Sequence, residues 1–253
     1  MALYDLVFSP TGGTQKVTDI IVDEFTNETI KIDLTDKDIN FEEIAINSND
    51  IVIIAVPSYA GRVPKLSAER ISKIKGNNAK TILVCVYGNR EFEDTLTELY
   101  DIAVKCGFKV IAAISAVAQH SIIKKIASHR PDAKDVNELR TFTEKIIHKI
   151  ESGNIDVPVI PGNRPYKQVS SSKMIPFTTD DCISCGECAR RCPSGAINEN
   201  NPKETNSEKC IACMRCVDIC EKSARKVDSA LLENLSSRLE KICEKRKDTI
   251  LYL

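Results

Sequence analysis

Two cysteine runs constrain this chain more than anything else in it. The first reads Cys182-Ile-Ser-Cys185-Gly-Glu-Cys188-Ala-Arg-Arg-Cys192-Pro193, and the second Cys210-Ile-Ala-Cys213-Met-Arg-Cys216-Val-Asp-Ile-Cys220. Both are C-x2-C-x2-C-x3-C, a spacing at which one tight loop wraps three corners of a cubane iron-sulfur cluster and the fourth corner comes from the other run. By that exchange one cluster takes Cys182, Cys185, Cys188 and Cys220, and the other takes Cys210, Cys213, Cys216 and Cys192. Zinc is the competing occupant, but tetrahedral zinc sites favour two CxxC pairs set apart by a longer loop. Glu221 follows Cys220 where the spacing usually carries proline, and an acidic group there disfavours reduction of the neighbouring cluster. Cys85 inside a strand-like run and Cys106 at a helix end read as packing residues.

The first part of the chain has a different pattern. Residues 2–8, 29–34, 50–56, 80–86 and 109–117 are apolar runs of strand length, mostly continuous rather than alternating, as in strands buried on both faces. Helix-length segments lie between or after them at 14–25, 64–75, 91–106 and 135–152. Strand alternating with helix implies right-handed crossovers, hence a doubly wound, five-stranded parallel sheet over residues 1–153. Residues 154–179, with Pro158, Pro161, Pro165, Pro176 and the run Ser170-Ser171-Ser172, read as a linker anchored by Val157, Val159, Ile160, Tyr166 and Phe177. The cysteine module occupies 180–225. Residues 226–253 are read as a C-terminal helix that places Leu231, Leu232, Leu235, Leu239, Ile242 and Cys243 on one face, for packing on a domain or for a dimer seam.

Directly after the first strand comes Ser9-Pro10-Thr11-Gly12-Gly13-Thr14 leading into a helix. Amides at a helix N-terminus attract phosphate, and the hydroxyls of Ser9, Thr11 and Thr14 add donors. The loop lacks the Gly-Lys-Ser/Thr ending of a P-loop and the three-glycine dinucleotide fingerprint, so a phosphate monoester is its natural guest; a helix-capping turn is the plainer alternative. Ligands of open parallel sheets sit beyond the carboxyl ends of the strands. There lie Pro57-Ser58-Tyr59-Ala60-Gly61 and Tyr87-Gly88-Asn89-Arg90-Glu91-Phe92, which offer aromatics for stacking and amides for the polar edge of a flat ring.

On these residues the stretch 180–225 resembles the two-cluster bacterial ferredoxins, with all eight ligand positions filled, and the first 150 residues resemble a flavodoxin. Taken whole, the chain resembles the flavodoxin-ferredoxin fusion proteins of anaerobic bacteria and archaea, including the stretch Pro161-Gly162-Asn163-Arg164-Pro165-Tyr166. That resemblance implies FMN held by Ser9, Thr11, Gly12, Gly13, Thr14, Pro57, Ser58, Tyr59, Ala60, Gly61, Tyr87, Gly88, Asn89, Arg90 and Phe92, with Tyr59 or Tyr87 against the ring. It also implies a small α+β domain carrying two [4Fe-4S] clusters.

With 35 basic and 36 acidic residues the formal charge is −1 and no basic stripe stands out, so nucleic acid is not an expected partner. Two oxidised clusters and a phosphate would bring the loaded chain to about −7, which favours partner proteins with a basic docking surface. The apolar stretches 51–56 and 110–118 are far too short to span a membrane, and the N-terminus lacks a basic leader, so the expected location is cytoplasmic. The function expected is electron transfer between FMN and two [4Fe-4S] clusters within one monomeric or homodimeric chain. It would serve redox partner proteins in anaerobic metabolism, with no catalytic acid, base or nucleophile. The alternative is an FMN-dependent reductase whose small substrate docks beside His120 and is fed by the clusters.

Overall fold

The computed structural model describes residues 1–169 and 174–253; the run Ser170-Ser171-Ser172 lies outside them. The chain opens with β1 (Leu3–Val7), α1 (Gly13–Val22), β2 (Thr29–Asp33), β3 (Ile51–Pro57), α2 (Lys65–Ile71), β4 (Lys80–Tyr87), α3 (Thr95–Lys105), β5 (Lys109–Val117) and α4 (Ala133–Glu151). Sheet order is β2-β1-β3-β4-β5, all parallel. This is the doubly wound arrangement of flavodoxin type, in which the order reverses beside β1 and opens a crevice at the carboxyl edge.

The continuous apolar runs are explained by burial on both faces. Ile51, Ile53 and Ala55 of β3 join Val17 and Ile21 of α1 and Leu139 and Ile146 of α4 in one core. The alternate residues Val52, Ile54 and Val56 join Ile71 of α2 and Leu96 and Leu99 of α3 in the other. Each such side chain contributes about 1.5–3 kcal/mol on leaving water. Helix α4 starts where Asp132 caps the amides of Lys134 and Asp135, while Asp135 accepts from the Asp132 amide and forms a buried ion pair with Arg130.

A sixth strand extends the sheet beyond the five expected. After β6 (Phe177–Thr178), α5 (Glu187–Arg190), α6 (Arg215–Asp218), β7 (Arg225–Lys226) and α7 (Ser229–Ile242), the tail returns as β8 (Ile250–Tyr252), antiparallel to β5. It covers an edge that would otherwise offer unpaired backbone groups. Asn89 anchors the approach to β8: its amide nitrogen donates to the carbonyls of Cys243 (2.8 Å) and Lys245 (3.0 Å), and its oxygen accepts from the Lys247 amide (2.9 Å). Helix α7 therefore ends earlier than the pattern predicts. Leu239 and Cys243 pack with Ile123 and Ile126, Leu232 and Leu235 lie at the margin, and Leu231 and Ile242 face solvent.

The segment joining sheet and cysteine module lies against α3, held by polar groups. Asp94 accepts from the amides of Asn163 (2.8 Å) and Lys167 (2.6 Å), Asp101 receives Arg164 and the Tyr166 hydroxyl, and Thr97 donates to the Pro161 carbonyl (2.6 Å). Gly162 fits there because a Cβ would stand 2.5 Å from the Thr97 hydroxyl. Of the apolar anchors expected, Ile160 packs on the core. Val157, Val159 (88% exposed) and Phe177 face water.

Candidate functional site

At the carboxyl edge of the sheet a cleft is lined by Ser9, Thr11, Gly13, Thr14, Pro57, Ser58, Tyr59, Ala60, Tyr87, Gly88 and Arg90, all of them expected there. The strand-to-helix turn after β1 makes one wall. The Ser9 hydroxyl accepts from the Gln15 amide (3.0 Å) and Gly12 accepts from Lys16 (3.0 Å). Among the described residues no acceptor takes the amides of Gly12, Gly13 or Thr14, and Gly12, at φ 81°, gives α1 no side-chain cap. Donors left free at a helix start, with hydroxyls around them, suit a phosphate monoester.

The opposite wall combines the turns after β3 and β4. Tyr59 and Arg62 exchange backbone hydrogen bonds (2.9 and 3.1 Å) through left-handed Ala60 and Gly61, and Ser58 bonds Thr95 (2.7 Å). Tyr59 is half-buried, whereas Tyr87 is a core residue whose ring meets Phe92 at 5.4 Å between centroids. Four expected residues lie outside this lining. Gly12 is behind the loop, Gly61 packs against Glu93, Phe92 is in the core, and the Asn89 side chain is spent on the tail.

The cleft also recruits Ala118, Gln119, His120 and Ser121 from the end of β5. Of these only His120 carried a sequence signal, its place after the fifth strand. Its Nδ1 accepts from the amides of Ile122 (3.2 Å) and Ile123 (3.0 Å), which leaves the proton on Nε2. Burial, then the cations Arg90 and Lys124, push its pKa down to about 4. His120 is thus neutral at pH 7, a fixed donor rather than a proton reservoir. Its ring rests on Gly88, where a Cβ would stand 2.5 Å from Cδ2.

The cysteine module is a repeat in backbone as well as sequence. In the first run left-handed Ser184 (φ 55°) and Gly186 (φ 77°) flank Cys185, and in the second Ala212 (φ 51°) and Met214 (φ 65°) flank Cys213. Three of these four are not glycine, a strained choice that recurs where a loop must curl round a ligand. The fourth cysteine of each run accepts from the amide four residues on: Cys192 from Ala196 and Cys220 from Ala224, both at 3.3 Å. Pairing of β6 with β7 brings the start of the first run to the end of the second, and Arg225 reaches the Cys188 sulfur (3.7 Å). Cys192 is close enough to the second run to act on Cys210, Cys213 and Cys216; burial and then these neighbours push Cys213 up to about 11 and Cys216 up to about 12.

None of the eleven cysteines is in a disulfide. Among the described residues no three His, Cys, Asp or Glu side chains converge on a single-ion site. Residues 174–221 match the family described as "4Fe-4S dicluster domain".

The chain joins a doubly wound sheet with the flavodoxin strand order to a segment that matches a 4Fe-4S dicluster family.

That match supports an electron-transfer role. The chain is 46% identical over 44 residues to a component of the ion-translocating oxidoreductase complex of Methanosarcina acetivorans, covering 17% of each chain. The DNA-directed RNA polymerase component Rpo3 of the same organism matches at 40% over 56 residues, covering 21% of each. The chain thus spans about a fifth of the length of these curated relatives. Similar solved structures include a Streptococcus pneumoniae TIGR4 flavodoxin (21% identity, TM-score 0.40, 58% of this chain and 99% of that one). Oxidised flavodoxin 1 of Bacillus cereus is another (15%, TM-score 0.43, 58% and 98%). Among the described residues no helix is long and apolar enough to cross a membrane.

The dicluster segment is seated on the same edge of the sheet as the cleft. Arg70 donates to the carbonyls of Leu34 (2.6 Å) and Pro193 (2.7 Å). Arg215 donates to those of Pro10 (2.9 Å), Ser9 (3.2 Å) and Arg191 (3.4 Å), and Lys124 pairs with Asp218 (2.8 Å).

Proposed function

We propose that this chain is an electron-transfer protein that passes electrons between FMN and two [4Fe-4S] clusters and serves redox partner proteins in the cytoplasm. The observation that carries the proposal is the shared edge: the phosphate-type loop and the two thiol wraps are held against one another by backbone-directed arginines. FMN holds one or two electrons and each cluster one, so a chain carrying both can convert between paired and single-electron traffic.

The residues divide the work. Free amides of Gly12, Gly13 and Thr14, with the hydroxyls of Ser9, Thr11 and Thr14, would bind the phosphate. Tyr59 is the aromatic available to the ring, since Tyr87 is held in the core. The eight cysteines from Cys182 to Cys220 would hold the clusters, Cys192 and Cys220 crossing between runs. Connection within one chain removes a docking step between the centres.

A second reading, a reductase with substrate beside His120, draws on the place of that residue in the cleft. A histidine that is neutral, with Nδ1 already bonded, can orient a substrate but does not supply its proton at neutral pH. Flavin, iron and sulfide should be measured on protein purified without oxygen, with spectra taken through stepwise reduction. Electron transfer predicts about one FMN and eight iron per chain, with flavin and cluster bands bleaching in the same titration. A preparation lacking either group defeats the proposal. Substrate-specific oxidation of the reduced protein that is lost in His120→Ala would favour the reductase.

A further inference from the structure

We infer that the two thiol sets are inequivalent: Cys192, Cys210, Cys213 and Cys216 form the set coupled to the cleft, with Arg215 as the positioning residue that holds it there. The inference rests on the electron-transfer proposal and adds which set faces the flavin site and what keeps it in place.

The repeat supplies its own control. Aligning the runs on their cysteines places Glu187 in the first where Arg215 stands in the second. Glu187 is half-exposed and pairs locally with Arg190 and Arg191, within its own turn. Arg215 is 8% exposed and sends two of its three hydrogen bonds some two hundred residues back along the chain, to the carbonyls of Ser9 and Pro10. Those two residues begin the loop whose free amides and hydroxyls form the anion cradle. A guanidinium serves here because its fork satisfies several carbonyls from one buried position, which a lysine ammonium matches poorly.

Burial follows the same division. Cys213 and Met214 are 9% and 3% exposed, and Ile211 packs on the sheet's core. In the first run Cys185 is exposed and Ile183 is 64% exposed. Arg70 secures the other end of the inner set through the Pro193 carbonyl, one residue past Cys192. Tyr59, in the cleft wall, lies near Cys213 and Arg215. Electron exchange weakens steeply with distance, so the set behind Tyr59 is the one with which the cleft exchanges single electrons, each lost by one centre and gained by the other. The Arg215 guanidinium beside Cys213 favours reduction of that set, as Arg225 beside Cys188 does for the exposed one.

The test uses full-length protein loaded with both cofactor types and purified without oxygen. Three variants are compared: Arg215→Ala, Arg215→Lys and, at the equivalent repeat position, Glu187→Ala. The readouts are the FMN dissociation constant, from fluorescence of released flavin, and the potentials of both clusters from an EPR-monitored titration. Cys213→Ser and Cys185→Ser identify which signal belongs to which set. Arg215→Ala should weaken FMN binding at least tenfold and lower the potential of the inner set alone. Arg215→Lys, which keeps the charge and loses the fork, should weaken FMN binding with a smaller potential shift. Glu187→Ala should leave FMN binding unchanged. Equal behaviour of the alanine variants, or a shift in the outer set only, overturns the inference. If Arg215→Ala does not take up iron, Arg215→Lys decides on FMN binding. Absence of FMN or iron from the unsubstituted protein would instead defeat the electron-transfer proposal itself.

Discussion

The two cysteine runs share a backbone and differ in surroundings. Both place left-handed residues on either side of the middle cysteine and bond the fourth sulfur to the amide four residues on. One run is open to solvent at Ile183 and Cys185; the other is pressed against the sheet, with Arg215 reaching into the loop after β1. The capacity to hold a cluster therefore resides in turns that repeat, while the position of a cluster in the molecule resides in the side chains between the ligands. Glu187 and Arg215 occupy equivalent places and give the two halves different neighbours.

The strongest test of this contrast removes one ligand from each run. Cys213→Ser and Cys185→Ser should each lower iron content by about half. Cys213→Ser should also lower the melting temperature by at least about 5 °C more than Cys185→Ser, because its loop is part of the seat on the sheet. Equal melting temperatures would place both sets at the same distance from the core. Next in size, Arg70→Ala should cost about 2–3 kcal/mol in denaturant unfolding, since a buried cation bridging two carbonyls is lost. Amide exchange should rise around residues 192–216 and stay unchanged at 182–188.

Asp5 gives an effect of similar or smaller size that depends on pH. It is fully buried in β1, beside the cavity also lined by Arg191 and Arg215, with Oδ1 lacking a partner among the described residues. Burial pushes its pKa up to about 6, against the opposing pull of Gln15 and Lys31. The folded state thus holds this proton more tightly than the unfolded one, and the group costs stability as pH rises from about 4 through 6. Asp5→Asn should be nearly neutral at pH 4 and stabilising at pH 7, by at most on the order of 3 kcal/mol in paired urea titrations. A gain independent of pH would refute the assignment. The smallest effect belongs to Glu221, exposed and next to Cys220. Glu221→Gln should raise the potential of the outer set slightly and leave the inner one alone, an exposed charge being screened by water and salt.

Much of this architecture could be read from residue patterns because it depends on periodicity and spacing. The unbroken run from Ile51 to Val56 is a strand buried on both faces, and the repeated cysteine spacing foretells the repeated turns. What stayed hidden depends on where individual side chains turn. Asn89 and Phe92 sit in a turn at the correct strand end, yet one ties down the tail and the other joins the core. The linker's seat is made by Asp94 and Asp101, whose carboxylates meet backbone and side-chain donors with no repeating pattern. Arg215, between Cys213 and Cys216, reads in sequence as one more solvated charge. Residues 250–252 are too few to show a strand period.

That short strand has a consequence for connectivity. With β8 returned to β5, the thiol-bearing segment is spliced between two parts of one sheet rather than hung from its end. Both of its tethers are moored, one along α3 and one at β5, so swinging free would require peeling away a strand or paying out two lines at once. Covalent topology thus limits its excursions even when individual contacts break.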